Sequence, residues 1–235
     1  MKVIETKNYD QLSRIAAQMI GGQILLKPDS VLGLATGSSP IGTYKHLITQ
    51  YEEGVLNFSA VRTVNLDEYC GLTQNSEHGY RYFMNHTLFN HVNIDLKNTF
   101  VPMGNAEDPE QECLRYEKLV ADLGGIDLQI LGIGHNGHIG FNEPSESFPS
   151  ETHIVDLAQS TIDANSRLFD DPNDVPRKAI TMGIGTIIKA KKILLIAGSD
   201  KREIVEKAIY GKITPEVPAS VLQLHRDVTI IISAE

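Results

Sequence analysis

The stretch Ile126-Asp127-Leu128-Gln129-Ile130-Leu131 runs straight into Gly132-Ile133-Gly134-His135-Asn136-Gly137-His138-Ile139-Gly140-Phe141-Asn142-Glu143-Pro144. Its first part has the length and apolar content of a buried strand. Its second part crowds glycines, two histidines and a carboxylate into a span that suits a site better than a core. In open parallel sheets ligands bind outside the carboxyl ends of the strands, which is where this cluster would emerge.

The same unit recurs on either side. Val31-Leu32-Gly33-Leu34-Ala35 reads as a short strand, followed by Thr36-Gly37-Ser38-Ser39-Pro40 and a helix carrying Tyr44, Leu47, Ile48 and Tyr51, with Ser39 as its cap and Pro40 at its first position. Such a turn leaves backbone N–H groups free at the positive end of a helix dipole, an arrangement that attracts phosphate as readily as it makes a well-capped helix. Val61–Leu66 is a further strand and delivers Asp67-Glu68-Tyr69 at its end; alone, the acidic pair suits a solvated loop or a cap for the helix beginning near Glu77 as well as a catalytic site. Lys192–Ala197 is a strand before Gly198-Ser199-Asp200-Lys201 and a helix to about Tyr210. A lysine in the first helical turn opposes the dipole unless an anion sits nearby, so Lys201 is either a phosphate ligand or a solvated surface lysine.

The rest of the chain supplies the alternation. Tyr9–Ile20 has helical periodicity, with Gly21-Gly22 as its expected stop, and Asp108-Pro109-Glu110-Gln111 opens a helix to about Leu123. Ser160–Phe169 reads as a short helix bearing Arg167, and Ala219–His225 and Val228–Ser233 read as closing strands. Helices alternating with strands predict an α/β fold whose mostly parallel sheet is covered on both faces. The loops at 36–39, 67–69, 135–143 and 198–201 then gather along one edge and form one site.

Composition bounds the partners. The chain has 235 residues, 41% hydrophobic and 22% charged, which suits one α/β domain over 1–235. A formal net charge of -9 argues against nucleic acid or an anionic membrane surface, and no apolar run approaches the roughly 18 residues of a membrane span. With no signal-peptide core at Met1–Glu5, a cytoplasmic location is expected. Cys70 and Cys113 lack CxxC spacing and read as reduced thiols.

Several segments together carry a more specific likeness. ATGSSPIGTYKHL, NLDEYCGL and LGIGHNGHIGFNEP, with Ala164-Asn165-Ser166-Arg167 and Val221-Leu222-Gln223-Leu224-His225, resemble the signature segments of glucosamine-6-phosphate deaminases, also called glucosamine-6-phosphate isomerases, across essentially the whole chain. The resemblance implies the three-layer, Rossmann-like sandwich of the glucosamine-6-phosphate deaminase and ribose-5-phosphate isomerase superfamily. It implies conversion of glucosamine 6-phosphate and water to fructose 6-phosphate and ammonia, with no cofactor and no catalytic metal. It assigns ring opening to His138 assisted by Glu143, the carbon proton shuttle to Asp67, and the phosphate to Thr36, Gly37, Ser38, Ser39, Arg167 and Lys201, with Gly137 beside the substrate. Arg167 by itself would read as a surface helix arginine. A lid is expected within residues 145–180, and a monomer and a small homo-oligomer both stay open.

Two departures matter. Many longer members carry Asp where this chain has Asn136, whose amide oxygen could still orient the histidine ring. Those members also respond to N-acetylglucosamine 6-phosphate through basic residues after the central motif and a C-terminal extension, whereas Ser145–Phe148 and His153–Val155 are poor in cations. The resemblance is therefore to the shorter, non-allosteric type. A 6-phosphogluconolactonase of the same fold is the nearest rival, followed by a sugar-phosphate-sensing regulator and by a metal site built on His135, His138 and Glu143. The non-allosteric reading predicts a hyperbolic dependence of rate on glucosamine 6-phosphate; steady-state curves with and without the N-acetyl compound should superimpose, and a sigmoidal curve that it straightens would contradict the reading.

Overall fold

In a computed structural model the structure describes residues 1–166, 169, 171 and 174–235. In chain order these form β1 (Lys2–Thr6), α1 (Tyr9–Leu26), β2 (Val31–Leu34), α2 (Ile41–Glu52), β3 (Arg62–Asn65), β4 (Asp67–Tyr69), α3 (Tyr80–Thr87), β5 (Thr99–Phe100) and α4 (Pro109–Asp122). There follow β6 (Leu128–Leu131), β7 (His153–Asp156), α5 (Gln159–Ser166), β8 (Lys178–Thr181), α6 (Ile184–Ile188), β9 (Ile193–Ala197), α7 (Arg202–Tyr210) and β10 (Val228–Ser233).

Seven strands pair in the order β1-β10-β9-β6-β2-β3-β5, and all of these pairings are parallel. Because successive side chains on a strand point to opposite faces, a doubly covered strand must be apolar throughout. On β9, Leu194 and Ile196 join one core with Leu12, Ala16 and Ile20 of α1, Tyr44 and Leu47 of α2 and Met84 of α3. Ile193, Leu195 and Ala197 join the other with Tyr116 and Val120 of α4, Ile187 of α6 and Val205 and Ala208 of α7. The result is the expected three-layer α/β sandwich.

Of the second sheet the sequence marks only residues 151–156 as extended, which matches β7; the sheet itself escaped the reading. Three antiparallel strands, ordered β4-β8-β7, stand apart from the parallel sheet. β1 and β5 were missed as well, because β1 is a largely exposed edge strand and β5 has two residues, too few to show a period.

Three boundaries differ for identifiable reasons. α1 continues through Gly21-Gly22 to Leu26, since Ile24 extends its buried stripe. Gly21 serves close packing: a Cβ there would lie 2.7 Å from Gln50 Oε1 and 3.4 Å from Leu56. α2 begins at Ile41, with Pro40 in the cap position and no cap bond from the cap residue's own side chain, so Ser39 is not a cap. Residues Pro218–Leu224 form a 3-10 turn where a strand was expected. Pro218 starts the turn, and the Ser220 hydroxyl, donating to the Thr214 carbonyl and accepting from its N–H, closes the preceding loop.

Gly22 differs from its neighbour in having open space where a Cβ would go. Gly22→Ala should therefore stabilise the fold by about 0.5–1 kcal/mol through helix propensity, while Gly21→Leu should destabilise it by about 1–3 kcal/mol through overpacking. Denaturant unfolding of the two variants checks both signs.

Candidate active site

The strand order reverses between β2 and β6. From β2 the chain proceeds outward to β3 and β5, whereas β6 leads the other way to β9 and β10. Adjacent connections that leave a parallel sheet in opposite directions open a crevice at the carboxyl ends, and that is the position of a ligand site. A cleft of about 300 Å3 lies there, lined by Thr36, Gly37, Ser38, Ser39, Asp67, Tyr80, Gly134, His138, Gly140, Phe141 and Lys201 among others.

One wall is the loop after β2. The Tyr44 hydroxyl donates to the Ala35 carbonyl at 2.6 Å and fixes where the strand ends. Gly37 then adopts φ +89°, a left-handed conformation that glycine takes without strain. No acceptor among the described residues takes the N–H groups of residues 36–39, so these donors stand before the α2 dipole. Unpaired N–H groups before a helix are the arrangement an anion would need there.

The floor depends on a change of sheet. Leu66 still belongs to the parallel layer, its N–H donating to the Leu34 carbonyl at 3.1 Å. Its own carbonyl accepts from the Met182 N–H at 2.7 Å, and Asp67 pairs with Thr181 in the antiparallel sheet. Asp67 is thereby buried, and burial, reinforced by the adjacent Glu68 charge, pushes its carboxyl up to about 8. Glu68 has the other task open to an acidic pair. Its Oε1 accepts from the N–H groups of Tyr69 and Tyr80 and its Oε2 from that of Arg81, each at 2.9 Å, so it caps α3 from twelve residues away. Burial raises its carboxyl, and those three donors work against the rise.

Tyr80 is a cleft residue that the sequence reading missed. Its hydroxyl donates to that of Tyr69 at 3.0 Å and is within hydrogen-bonding reach of the Thr36 side chain. Burial, then the Asp67 charge, keep its phenol far above the ordinary value, so it faces the site as a neutral group. A tyrosine at the start of a helix carries no periodic signal of such a role.

The third wall is the central motif. The Gly134 N–H donates to the His138 carbonyl and the Gly137 N–H to the Gly134 carbonyl, both at 2.9 Å, so the segment folds into a closed turn. Gly134 is required by contact: a Cβ there would fall 2.2 Å from His138 Cε1, inside the ring's own space. Gly137, at φ +89°, lies outside the cleft lining. It packs toward Val217 while its carbonyl accepts from Ala219, so it builds the turn and does not present its N–H to a ligand.

His138 Nδ1 lies 3.1 Å from Glu143 Oε1. The expected role of Asn136 needs correction. Its amide nitrogen donates to Glu143 Oε2 at 2.5 Å, and its oxygen accepts from the His138 backbone N–H at 3.2 Å. A carboxylate only accepts, so the amide must turn its nitrogen toward Glu143 and cannot offer its oxygen to the ring. Asn136 orients Glu143, whose other oxygen stands beside the ring at ion-pair distance without hydrogen-bond alignment at Nδ1. The His138 contact, more than the Asn136 amide, holds the Glu143 carboxyl below the usual glutamate range against the opposing effect of burial.

Lys201 reaches the cleft from the turn after β9, with its ammonium against His135 Nδ1 and 3.4 Å from Asp200 Oδ2. His135 Nε2 is 3.2 Å from the same Asp200 oxygen. The two histidines of the motif thus turn to different partners, and among the described residues no three His, Cys, Asp or Glu side chains converge on a metal-sized point. Arg167, expected at the phosphate, lies outside the described residues. A larger hollow, about 710 Å3, is lined by Cys70, Gly71, Leu72, His78 and Arg177 and holds none of the expected site residues.

Free backbone donors, a buried carboxyl and a histidine–glutamate pair gathered at the switch point of a parallel sheet define an α/β protein with a polar cleft where such sheets bind ligands. The family model described as glucosamine-6-phosphate isomerases/6-phosphogluconolactonase matches residues 7–231. The chain belongs to that family. It is 61% identical over 232 residues to a glucosamine-6-phosphate deaminase of Lachnoclostridium phytofermentans, with 98% of each chain covered. It is 56% identical over 236 residues to one of Clostridium perfringens, covering 100% of this chain and 98% of the relative. A solved monomeric glucosamine-6-phosphate deaminase superposes with a TM-score of 0.94 at 50% identity, over 99% of this chain and 97% of the other. A 6-phosphogluconolactonase from Thermotoga maritima superposes at 0.78 with 16% identity over 99% and 98%, a likeness of fold alone.

The Gly134 contact is directly testable. Gly134→Ala should displace the His138 ring and lower kcat/KM by about 10–100-fold, the range expected for a misplaced proton-transfer group, while the far-ultraviolet circular dichroism spectrum is retained.

Proposed function

We propose that the chain converts glucosamine 6-phosphate and water to fructose 6-phosphate and ammonia. The observation that carries the reading is the placement of the Asp67 carboxyl on the same cleft as the free N–H groups of residues 36–39 and the His138–Glu143 pair. The cradle, with Lys201, takes the phosphate dianion, so that binding energy remote from the reacting carbons orients the sugar. Arg167 joins them by the family resemblance. His138, paired with Glu143, moves a proton between O1 and the ring oxygen and opens the pyranose. Asp67 takes the proton from C2 to give an enolamine and returns it to C1. O1 takes up a proton as the enolamine forms, so return of the proton to C1 leaves an iminium at C2. Water adds there and the carbinolamine expels ammonia to give the ketone. C1 is reduced as C2 is oxidised, so no external redox partner is needed.

Burial suits Asp67 to this work. A carboxylate in water is a poor base for a carbon acid, and a raised pKa brings it nearer the operating pH while it still presents one oxygen to two adjacent carbons. We also propose that residues 1–235 act as one domain, with a lid within 145–180. The reading is supported by the stretch's attachment beside the cleft, since β7 pairs with β8, which pairs with the strand that carries Asp67. The enzyme is proposed to work in the cytoplasm as a monomer or small homo-oligomer. The solved relative is monomeric, and no helix among the described residues is long and apolar enough to cross a membrane.

Incubation with glucosamine 6-phosphate, following ammonia and fructose 6-phosphate, tests the reaction, and absence of ammonia would refute it. Asp67 must be ionised to accept the C2 proton, and its carboxyl sits at about 8. The acid limb of kcat/KM should therefore fall about tenfold per pH unit below that value. Asp67→Asn should lower ammonia release by about 10²–10⁴-fold, the usual size of a lost general base; a lactonase, with no carbon acid to deprotonate, would not depend on this group in that way.

A further inference from the structure

α2 lacks a side-chain cap of its own, yet its first turn is not left open. Pro40 holds the cap position at φ -86° and ψ -7° and has no hydroxyl or amide to offer. The Tyr9 hydroxyl, from the first residue of α1, accepts the Gly42 N–H at 2.9 Å. The same oxygen lies 3.0 Å from the Ser38 carbonyl and 3.0 Å from the Ser39 carbonyl. A phenol has one proton to donate and lone pairs to accept with, so it can take the helix N–H while sharing its proton between two loop carbonyls.

We propose that Tyr9 is a positioning residue for the phosphate cradle: its hydroxyl ties the Ser38 and Ser39 carbonyls to the start of α2 and so turns the loop's N–H groups toward the anion. This rests on the reading of residues 36–39 as the phosphate site. The geometry follows from the trans peptide, in which C=O and the next N–H point in opposite directions. With the Ser38 carbonyl held at Tyr9, the Ser39 N–H of the same peptide points away from the tyrosine. The next peptide has no N–H, because Pro40 follows, so Ser38–Ser39 is the last unit before the helix that can present one. The only other backbone donor to the Ser38 carbonyl among the described residues is the Ile41 N–H, at a long 3.4 Å. Loop orientation therefore leans on a side chain thirty residues away.

The scaffold around Tyr9 serves this contact. Asn8 caps α1 by accepting the Gln11 N–H, which fixes the turn on which Tyr9 stands. Gly42 lets the helices meet closely, since a Cβ there would lie 2.3 Å from Ser13 Oγ and 2.9 Å from Tyr9 Cε1. Tyr9 is 41% exposed and borders a hollow of about 480 Å3 that shares Ser38, Ser39 and Lys201 with the catalytic cleft. Removing the hydroxyl alone leaves that packing in place.

Tyr9→Phe separates positioning from stability. Measured against the wild type are KM and kcat for glucosamine 6-phosphate, the competitive inhibition constant of inorganic phosphate, and the melting temperature. The proposal expects KM and the phosphate constant to rise together by about five- to tenfold, the effect of losing one hydrogen bond, with kcat within about twofold of the wild type. A lowered melting temperature with both constants unchanged would overturn it, since that is the signature of a purely structural contact. A fall in kcat with no change in the phosphate constant would overturn it too. If phosphate does not inhibit the wild type, the phosphate reading of residues 36–39 fails first and Tyr9 falls with it, so the two failures are distinguishable.

Discussion

The site depends on one backbone event, the transfer of the chain from one sheet to another at Leu66. Its N–H is satisfied by the parallel sheet and its carbonyl by the segment following β8, so both halves of the residue are committed. Asp67, next in the chain, has to project at the junction of the two sheets, where side chains from both exclude water. A carboxylate is placed there only at a cost in desolvation, and that cost appears as the upward shift of its pKa. The raised pKa of Asp67 is thus produced by topology, through burial, and by the neighbouring charge of Glu68.

Around that acid the structure spends buried polar groups on backbone ends. Tyr44 holds the end of β2, and the Tyr116 hydroxyl lies 2.8 Å from the Asn65 carbonyl and 3.1 Å from that of Phe100, holding β3 and β5 together. Burial raises both phenols, which keeps them protonated and able to donate. Glu68 caps α3 and Asn136 steers Glu143. The tyrosine and Glu68 contacts satisfy backbone groups that would otherwise be buried without a partner, while the exposed Asn136 serves only to position Glu143. Packing and chemistry are served by the same hydrogen bonds.

Glycine has three separate uses near the site. Gly37 supplies a left-handed turn, Gly134 makes room for an imidazole, and Gly42 lets two helices approach until a tyrosine can reach a loop. Only the first follows from local backbone rules. The others come from what stands opposite the glycine in space, which is why the sequence showed a glycine-rich motif without showing what each residue was for.

Local pattern carried the fold a long way. Apolar runs bounded by glycine and proline marked β2, β3, β6, β9 and β10, and a side-chain cap with proline marked α4, because hydrophobic periodicity and cap chemistry act over a few residues. The order of strand and loop likewise sets Thr36–Ser39, Asp67, His138 and Lys201 on one edge, where they line the cleft. Tertiary structure decided the rest. It separated Asp67 from Glu68, one facing the cleft and the other capping a helix. It carried α1 past two glycines, turned Pro218–Leu224 away from the sheet, reversed the amide of Asn136 and brought in Tyr80 and Tyr9. Those outcomes depend on what stands opposite each group in space, from Glu143 seven residues after Asn136 to the Ser38 carbonyl 29 residues after Tyr9, and such contacts leave no period in the chain to be read.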